Sequence, residues 1–208
     1  MIITVQKPLP EILDSLKDYD NVFIVGCAAC ATKCQTGGEE AVKKISEELK
    51  KAGKKVSGSA VLDTPCDIRV AKRDLKNVSA GVFLILGCGA GVQSVEKVTS
   101  APLVPALDPV FTGTVERIGI YHEYCALCGS CMLAGTGGIC PITRCAKSLI
   151  NGPCGGAVNG KCEADPDSDC AWALILEKTK GKGILKDYMP PRSFIKPKNI
   201  GRHKKTTL

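Results

Sequence analysis

Apolar residues in the first hundred positions gather in three short runs, separated by stretches whose apolar residues recur at helical spacing. Two of the runs, Asn21 to Gly26 and Gly81 to Leu86, are short and rich in branched side chains as parallel strands covered on both faces should be, and Val56 to Leu62 between them is able to form a strand. After the first run, Val42, Ile45, Leu49 and Ala52 lie on one helical face. Acids come early in that stretch, lysines late, and Gly53 follows as a stop. Further helices are predicted through Val70 and Leu75 and over Val92 to Val98. The order is βαβαβα. The expected fold class is therefore α/β, a small parallel three-layer βαβ domain with right-handed crossovers, whose ligands sit beyond the carboxyl ends of the strands.

Pro102, Pro105 and Pro109 then interrupt regular structure, and the composition turns to Gly and Cys. We expect an α/β domain over residues 1–108, an irregular Cys-rich, metal-organised domain over 109–176, and a basic tail over 177–208. A short apolar helix is predicted from Ala171 to Leu176, around the single tryptophan, Trp172.

Composition sharpens this picture at one point. The chain has 13 Cys but only 2 His. The start Met1-Ile2-Ile3-Thr4-Val5 has neither the basic flank nor the apolar core of a secretory signal, so a cytoplasmic location is expected. In a reducing compartment closely spaced cysteines hold metal rather than each other. No apolar run approaches the ~20 residues of a membrane span. The net charge of +7 suggests nucleic acid until it is located. Ten of the 28 Lys and Arg fall in residues 178–208 beside one acid, Asp187, which leaves the remainder nearly neutral. The tail has few interleaved aromatics for stacking bases, so a protein partner is expected and nucleic acid is not.

The cysteines fall into two groups. Cys27, Cys30 and Cys34 follow the first strand, Cys66 the second and Cys88 the third, which brings all five to one edge of the sheet. A tetrathiolate [4Fe–4S] site over Cys27, Cys34, Cys66 and Cys88 is expected, with Cys30 able to replace any of them. Cys125-Ala-Leu-Cys128-Gly-Ser-Cys131 has ferredoxin-like spacing, and Cys140-Pro141 is a later Cys-Pro of the kind that ends such runs. A second cluster on Cys125, Cys128, Cys131 and either Cys140 or Cys145 follows. Cys145, Cys154, Cys162 and Cys170 complete a further metal site, iron–sulfur or zinc. Two or three [4Fe–4S] clusters are thus expected, with zinc a possible replacement for one. Gly87-Cys-Gly-Ala-Gly91 has the wrong glycine spacing for a dinucleotide fingerprint, and no phosphate loop, nucleophile elbow or paired-carboxylate motif appears. No catalytic residue is assigned.

From Cys140-Pro-Ile-Thr-Arg-Cys145 through Asn151-Gly-Pro-Cys-Gly-Gly156 to Cys170-Ala-Trp172, the sequence resembles the C-terminal domain family of methylenetetrahydrofolate reductase. With the preceding cysteine domain, the chain to about residue 176 looks like the MetV-type iron–sulfur small subunits of that enzyme. The resemblance implies a partner, a flavin-containing (β/α)₈ methylenetetrahydrofolate reductase subunit, and an electron-transfer role toward its flavin in one-carbon metabolism. Further electron-donor subunits are compatible with it. The alternatives are a zinc-binding structural or assembly subunit of the same flavoenzyme, and a self-sufficient thiol- or corrinoid-handling enzyme.

Overall fold

A strand covered on both faces cannot alternate, and Val82 through Leu86 are accordingly all fully buried. They form the spine of the first of two compact units in a computed structural model that describes residues 1–180. The units are Met1–His122 and the segment from Glu123 onward. Of the expected basic tail, residues 181–208 lie outside the described residues.

The first unit opens with β1 (Ile2–Gln6) and α1 (Leu9–Ser15), followed by β2 (Asn21–Cys27), α2 (Cys30–Lys33), α3 (Glu39–Lys51) and β3 (Lys55–Leu62). It continues through α4 (Ile68–Leu75), β4 (Val82–Leu86), α5 (Gly89–Glu96) and β5 (Leu103–Pro105). Strands β3, β2, β4 and β5 lie side by side in that order, all parallel. The chain steps from β2 to β3 on one side, then crosses to β4 on the other. The strand order therefore reverses at β2, and the crevice for a ligand lies at its carboxyl end.

Side chains of β4 alternate between two apolar layers. Val82, Leu84 and Leu86 join Ile12 of α1, Leu16 at its C-cap, and Ile45 and Leu49 of α3. Phe83 and Ile85 meet Ala71, Leu75 and Val95 of α4 and α5. On that second face Phe23 and Phe83, paired in register, pack edge to face at 5.6 Å between ring centres, worth about 1 kcal/mol beyond area burial.

The end of α3 shows local sequence rules at work. Ala52 is the C-cap and Gly53 adopts φ +81°; Gly53 N–H donates to the Lys50 carbonyl and Lys54 N–H to the Leu49 carbonyl. This 5→2 and 6→1 pair is the left-handed helix stop for which glycine is favoured.

The proline-rich stretch does not break the structure as expected. It carries the fourth parallel strand, β5, and an antiparallel strand, β6 (Leu107–Thr112). Pro105 ends the edge strand β5, and Pro109 sits opposite Thr4 beside a register shift in the β1–β6 ladder. A residue without an N–H is tolerated at such edges and irregularities. Because β6 returns to β1, and β7 (Thr114–Arg117) and β8 (Ile120–His122) form a short ladder after it, the division between units falls later than the 108/109 boundary expected.

The second unit is built from single turns and small pieces. A 3₁₀ turn (Leu133–Thr136), α6 (Pro141–Arg144), the β9 (Lys161–Cys162) and β10 (Asp165–Asp169) ladder, and α7 (Ala171–Thr179) surround a small core of Ile139, Ala171, Trp172 and Ile175. Trp172 Nε1 donates to the Leu149 carbonyl at 3.0 Å, fastening the loop after α6 to α7. The architecture is mixed α/β, with one four-stranded parallel sheet and three two-stranded antiparallel ladders among the described residues.

Candidate functional site

Cys27 is the last residue of β2, at the point where the strand order reverses. The loop that follows passes close over the strand ends, and two glycines make this possible. A Cβ on Gly26 would stand 2.5 Å from the Gly37 carbonyl oxygen, and one on Gly37 would stand 2.5 Å from the Leu86 carbonyl oxygen. Gly37 in turn accepts the Cys27 N–H at 2.7 Å, so the loop closes on itself beside the thiol.

The loops after β3 and β4 reach the same place. A Cβ on Gly87 would lie 3.8 Å from Pro65 Cγ and 4.0 Å from Cys27 Cβ, and one on Gly91 would lie 3.9 Å from Cys66 N. Ser94 Oγ on α5 donates to the Cys66 carbonyl at 3.1 Å, and Cys88 is the N-cap of α5. Asp67 caps α4 through Arg69 N–H at 2.9 Å, while the Arg69 guanidinium, forked on the same carboxylate, holds its pKa down to about 2.

Four thiols consequently share one electrostatic neighbourhood. Burial pushes the Cys27 thiol up; the N–H groups of Ala31 and Ala29, directed at its sulfur, oppose that, and Cys30 and Cys66 push it further up. Cys66 belongs to an exposed residue, yet partial covering of its sulfur raises it too, followed by Cys88, then Cys30 and Asp67. Cys27, Cys30, Cys66 and Cys88 are thus brought together. Cys34 is directed elsewhere: its buried sulfur donates to the Ile2 carbonyl of β1 at 3.9 Å.

In the second unit the bonds of the first cysteine run are local. Leu127 N–H donates to Cys125 Sγ at 3.4 Å, and Cys128 Sγ donates to the Ser130 carbonyl at 3.7 Å. Leu127 and Gly129 both have positive φ, which gives a tightly wound loop. Cys131 is exposed, and Cys140 is the N-cap of α6. Cys145 and Cys170 pack against the small core around Trp172.

Cys154 and Cys162 lie beside two residues that motif reasoning passed over, Lys147 and Glu163. Lys147 Nζ bonds Glu163 Oε1, and Cys154 Sγ donates to the same oxygen at 3.3 Å. The Glu163 carboxylate, foremost, and then the Cys154 and Cys162 thiols raise the Lys147 ammonium; Lys147 and then Cys154 hold Glu163 below the usual carboxylate range. Spacing could not have named this pair. The nearest signal is Glu163 directly following Cys162.

His122, of β8, bonds the Glu116 carboxylate through Nε2 at 2.6 Å. Among the described residues no group of three or more His, Cys, Asp or Glu closes round a single metal ion. At β2, four thiols from three consecutive loops share the carboxyl edge of the sheet, the donor type that thiolate-bound clusters use.

Among the described residues no helix is long and apolar enough to cross a membrane. No curated protein and no solved structure matches the chain. Residues 104–200 match the family model described as methylene-tetrahydrofolate reductase C terminal. The match leaves the cysteines after β2, β3 and β4 outside it and covers all eight of the later ones, so the similarity to that family is confined to the C-terminal part of this chain.

Proposed function

We propose that this chain is a cytoplasmic iron–sulfur subunit that passes electrons to the flavin of a separate methylenetetrahydrofolate reductase subunit. The observation that carries the reading is the gathering of Cys27, Cys30, Cys66 and Cys88 at the strand-order reversal, in a chain whose later half is similar to the C-terminal family of that enzyme. These four thiols hold a [4Fe–4S] cluster, Cys125, Cys128 and Cys131 with Cys140 or Cys145 hold a second, and Cys145, Cys154, Cys162 and Cys170 serve a third site. When bound, such clusters supply one-electron transfer without proton chemistry of their own.

The protein's contribution is to hold the thiolates and tune them. Ala29 and Ala31 direct N–H groups at Cys27, which favours the more negative, reduced state of a group bound there. The sheet beneath excludes water from one side of the site, while the exposed residue Cys66 marks the side open to a partner.

Anaerobic purification followed by iron and sulfide determination tests the reading. Cys88→Ser should remove about one cluster's iron and leave the second unit's metal in place. Iron content equal to that of the unaltered chain would overturn the assignment. Co-purification with the flavoprotein tests the partner separately.

A second reading, a zinc-stabilised structural subunit of the same flavoenzyme, is favoured by one feature. Cys145 and Cys170 pack directly on the small core of the second unit, as ligands of a structural metal do. A colourless protein that contains zinc and no iron would select it.

A further inference from the structure

Strand β3 forms one edge of the parallel sheet, and among the described residues it pairs with β2 alone. The opposite edge strand, β5, is three residues long and ends on Pro105, two devices that keep a free edge from pairing. β3 runs for eight residues without a proline. Its one irregularity is a bulge at Ser57, beyond which Gly58 to Leu62 run in unbroken register with Phe23 to Cys27. The Leu62 carbonyl accepts the Ala28 N–H, so the backbone of Leu62 is turned toward the β2 chain, and alternation turns those of Val61 and Ser59 outward. Ser57 and Ser59 are exposed, and Gly58 and Ala60 are only partly covered.

About Ser59, the segment Lys55-Val-Ser-Gly-Ser-Ala-Val-Leu-Asp63 is complementary to its own reverse. Gly58 and Ala60 flank the centre, Ser57 and Val61 follow, then Val56 and Leu62, and the ends are a base, Lys55, and an acid, Asp63. A second copy laid antiparallel about a two-fold axis at Ser59 sets small residue against small, apolar against apolar, and Lys55 against Asp63 at both ends. Both charges are available for this. Lys55 is exposed and takes part in none of the ion pairs among the described residues. The Asp63 side chain is 80% exposed and reaches only Arg73, at 3.8 Å.

We propose that β3 is the interface of a homodimer, in which two copies of this chain pair antiparallel along this strand and join their parallel sheets into one. The outward N–H and C=O of Ser59 exchange hydrogen bonds with the same groups of the second copy, and Lys55 meets Asp63 twice. The proposal is independent of what the cysteines hold. Because the paired strands run in opposite directions, their carboxyl ends lie roughly 25 Å apart, the length of eight residues of strand. The dimer therefore carries two separate crevices, each open to its own partner.

Sedimentation equilibrium of the full-length chain over a range of concentrations measures the dimer dissociation constant. Lys55→Asp opposes like charges at both ends and should raise that constant about tenfold, and Asp63→Lys should do the same. The double variant Lys55→Asp with Asp63→Lys should recover most of the affinity, which a loss of folding would not allow. Ser59→Lys sets two ammonium groups against each other on the axis and should give a monomer with unchanged far-UV circular dichroism. A chain that is monomeric at every concentration overturns the proposal, as does a dimer that Ser59→Lys leaves intact. A double variant no tighter than the single ones overturns it as well. If dimers form only after residues 181–208 are removed, the edge belongs to the chain's own tail and the proposal fails.

Discussion

The hydroxyl of Ser94 donates to the carbonyl of Cys66 across 3.1 Å, and so ties the loop after β3 to the helix after β4 over the end of the strand between them. Removing the donor with Ser94→Ala leaves a partly buried carbonyl short of a partner, a cost of about 1 kcal/mol. The loop that carries Cys66 should then hold its thiol less firmly. We expect a modest fall in Tm together with faster release of iron to a ferrous chelator. A fall in Tm with iron release unchanged would show that Cys66 is held by other contacts.

Cys30 and Cys34 should respond differently to substitution although they lie four residues apart. Cys30 shares the neighbourhood of Cys27 and Cys66, whereas Cys34 is turned onto the Ile2 carbonyl. Cys30→Ala should remove about one cluster's iron. Cys34→Ala should keep the iron and lose about 1 kcal/mol of stability as a small buried group is deleted. Equal iron loss from both variants would restore Cys34 to the ligand set.

Much of the first unit was legible because two of its central strands, β2 and β4, are almost wholly apolar. Asn21 to Gly26 and Gly81 to Leu86 read as buried strands; β2 and β4 stand there, β4 fully buried and β2 buried except at Asn21 and Phe23. The amphipathic α3 and its glycine stop were equally plain. Strands β1, β5 and β6 were not, because they are short, lie at edges and, in β5 and β6, contain proline, a residue whose local preference argues against a strand. At the site, spacing placed five cysteines at one sheet edge and could not say which way each turns. Whether Cys30 or Cys34 faces Cys27 depends on how α2 meets β1, and β1 lies far back in the chain. Lys147 and Glu163 escaped notice for a related reason: sixteen residues separate them, and only the folded loop joins them.

Lys54 offers a test of the scaffold apart from the site. Its ammonium donates to the carbonyls of Leu16, Lys17 and Tyr19 at 2.7, 3.2 and 3.0 Å, closing the exposed end of α1. Lys54→Met keeps the aliphatic stem and removes the charge. A loss of roughly 1–3 kcal/mol is expected from these charge-assisted bonds. Urea denaturation should show a lower midpoint, with metal content unaltered.

Metal removal should affect the two units unequally. The first has two apolar layers about its sheet, while the second has a core of a few residues around Trp172. Chelation should shift Trp172 emission toward that of exposed indole, as its packing and its bond to Leu149 are lost. Far-UV circular dichroism should retain most of the helix and sheet signal. Unmoved Trp172 emission after complete metal removal would show that the small core stands by itself.

Cys27 ends the central strand, and a slip of one residue in that strand would turn its thiol to the opposite face of the sheet. Its aim is therefore settled when β2 and β4 register, through apolar packing that needs no inorganic ligand. This has a bearing on biogenesis. On the proposed function, the first site would be a socket completed by folding before any cluster arrives. On the same reading the second unit, with its core of a few residues, would follow the opposite schedule and settle only around its metal.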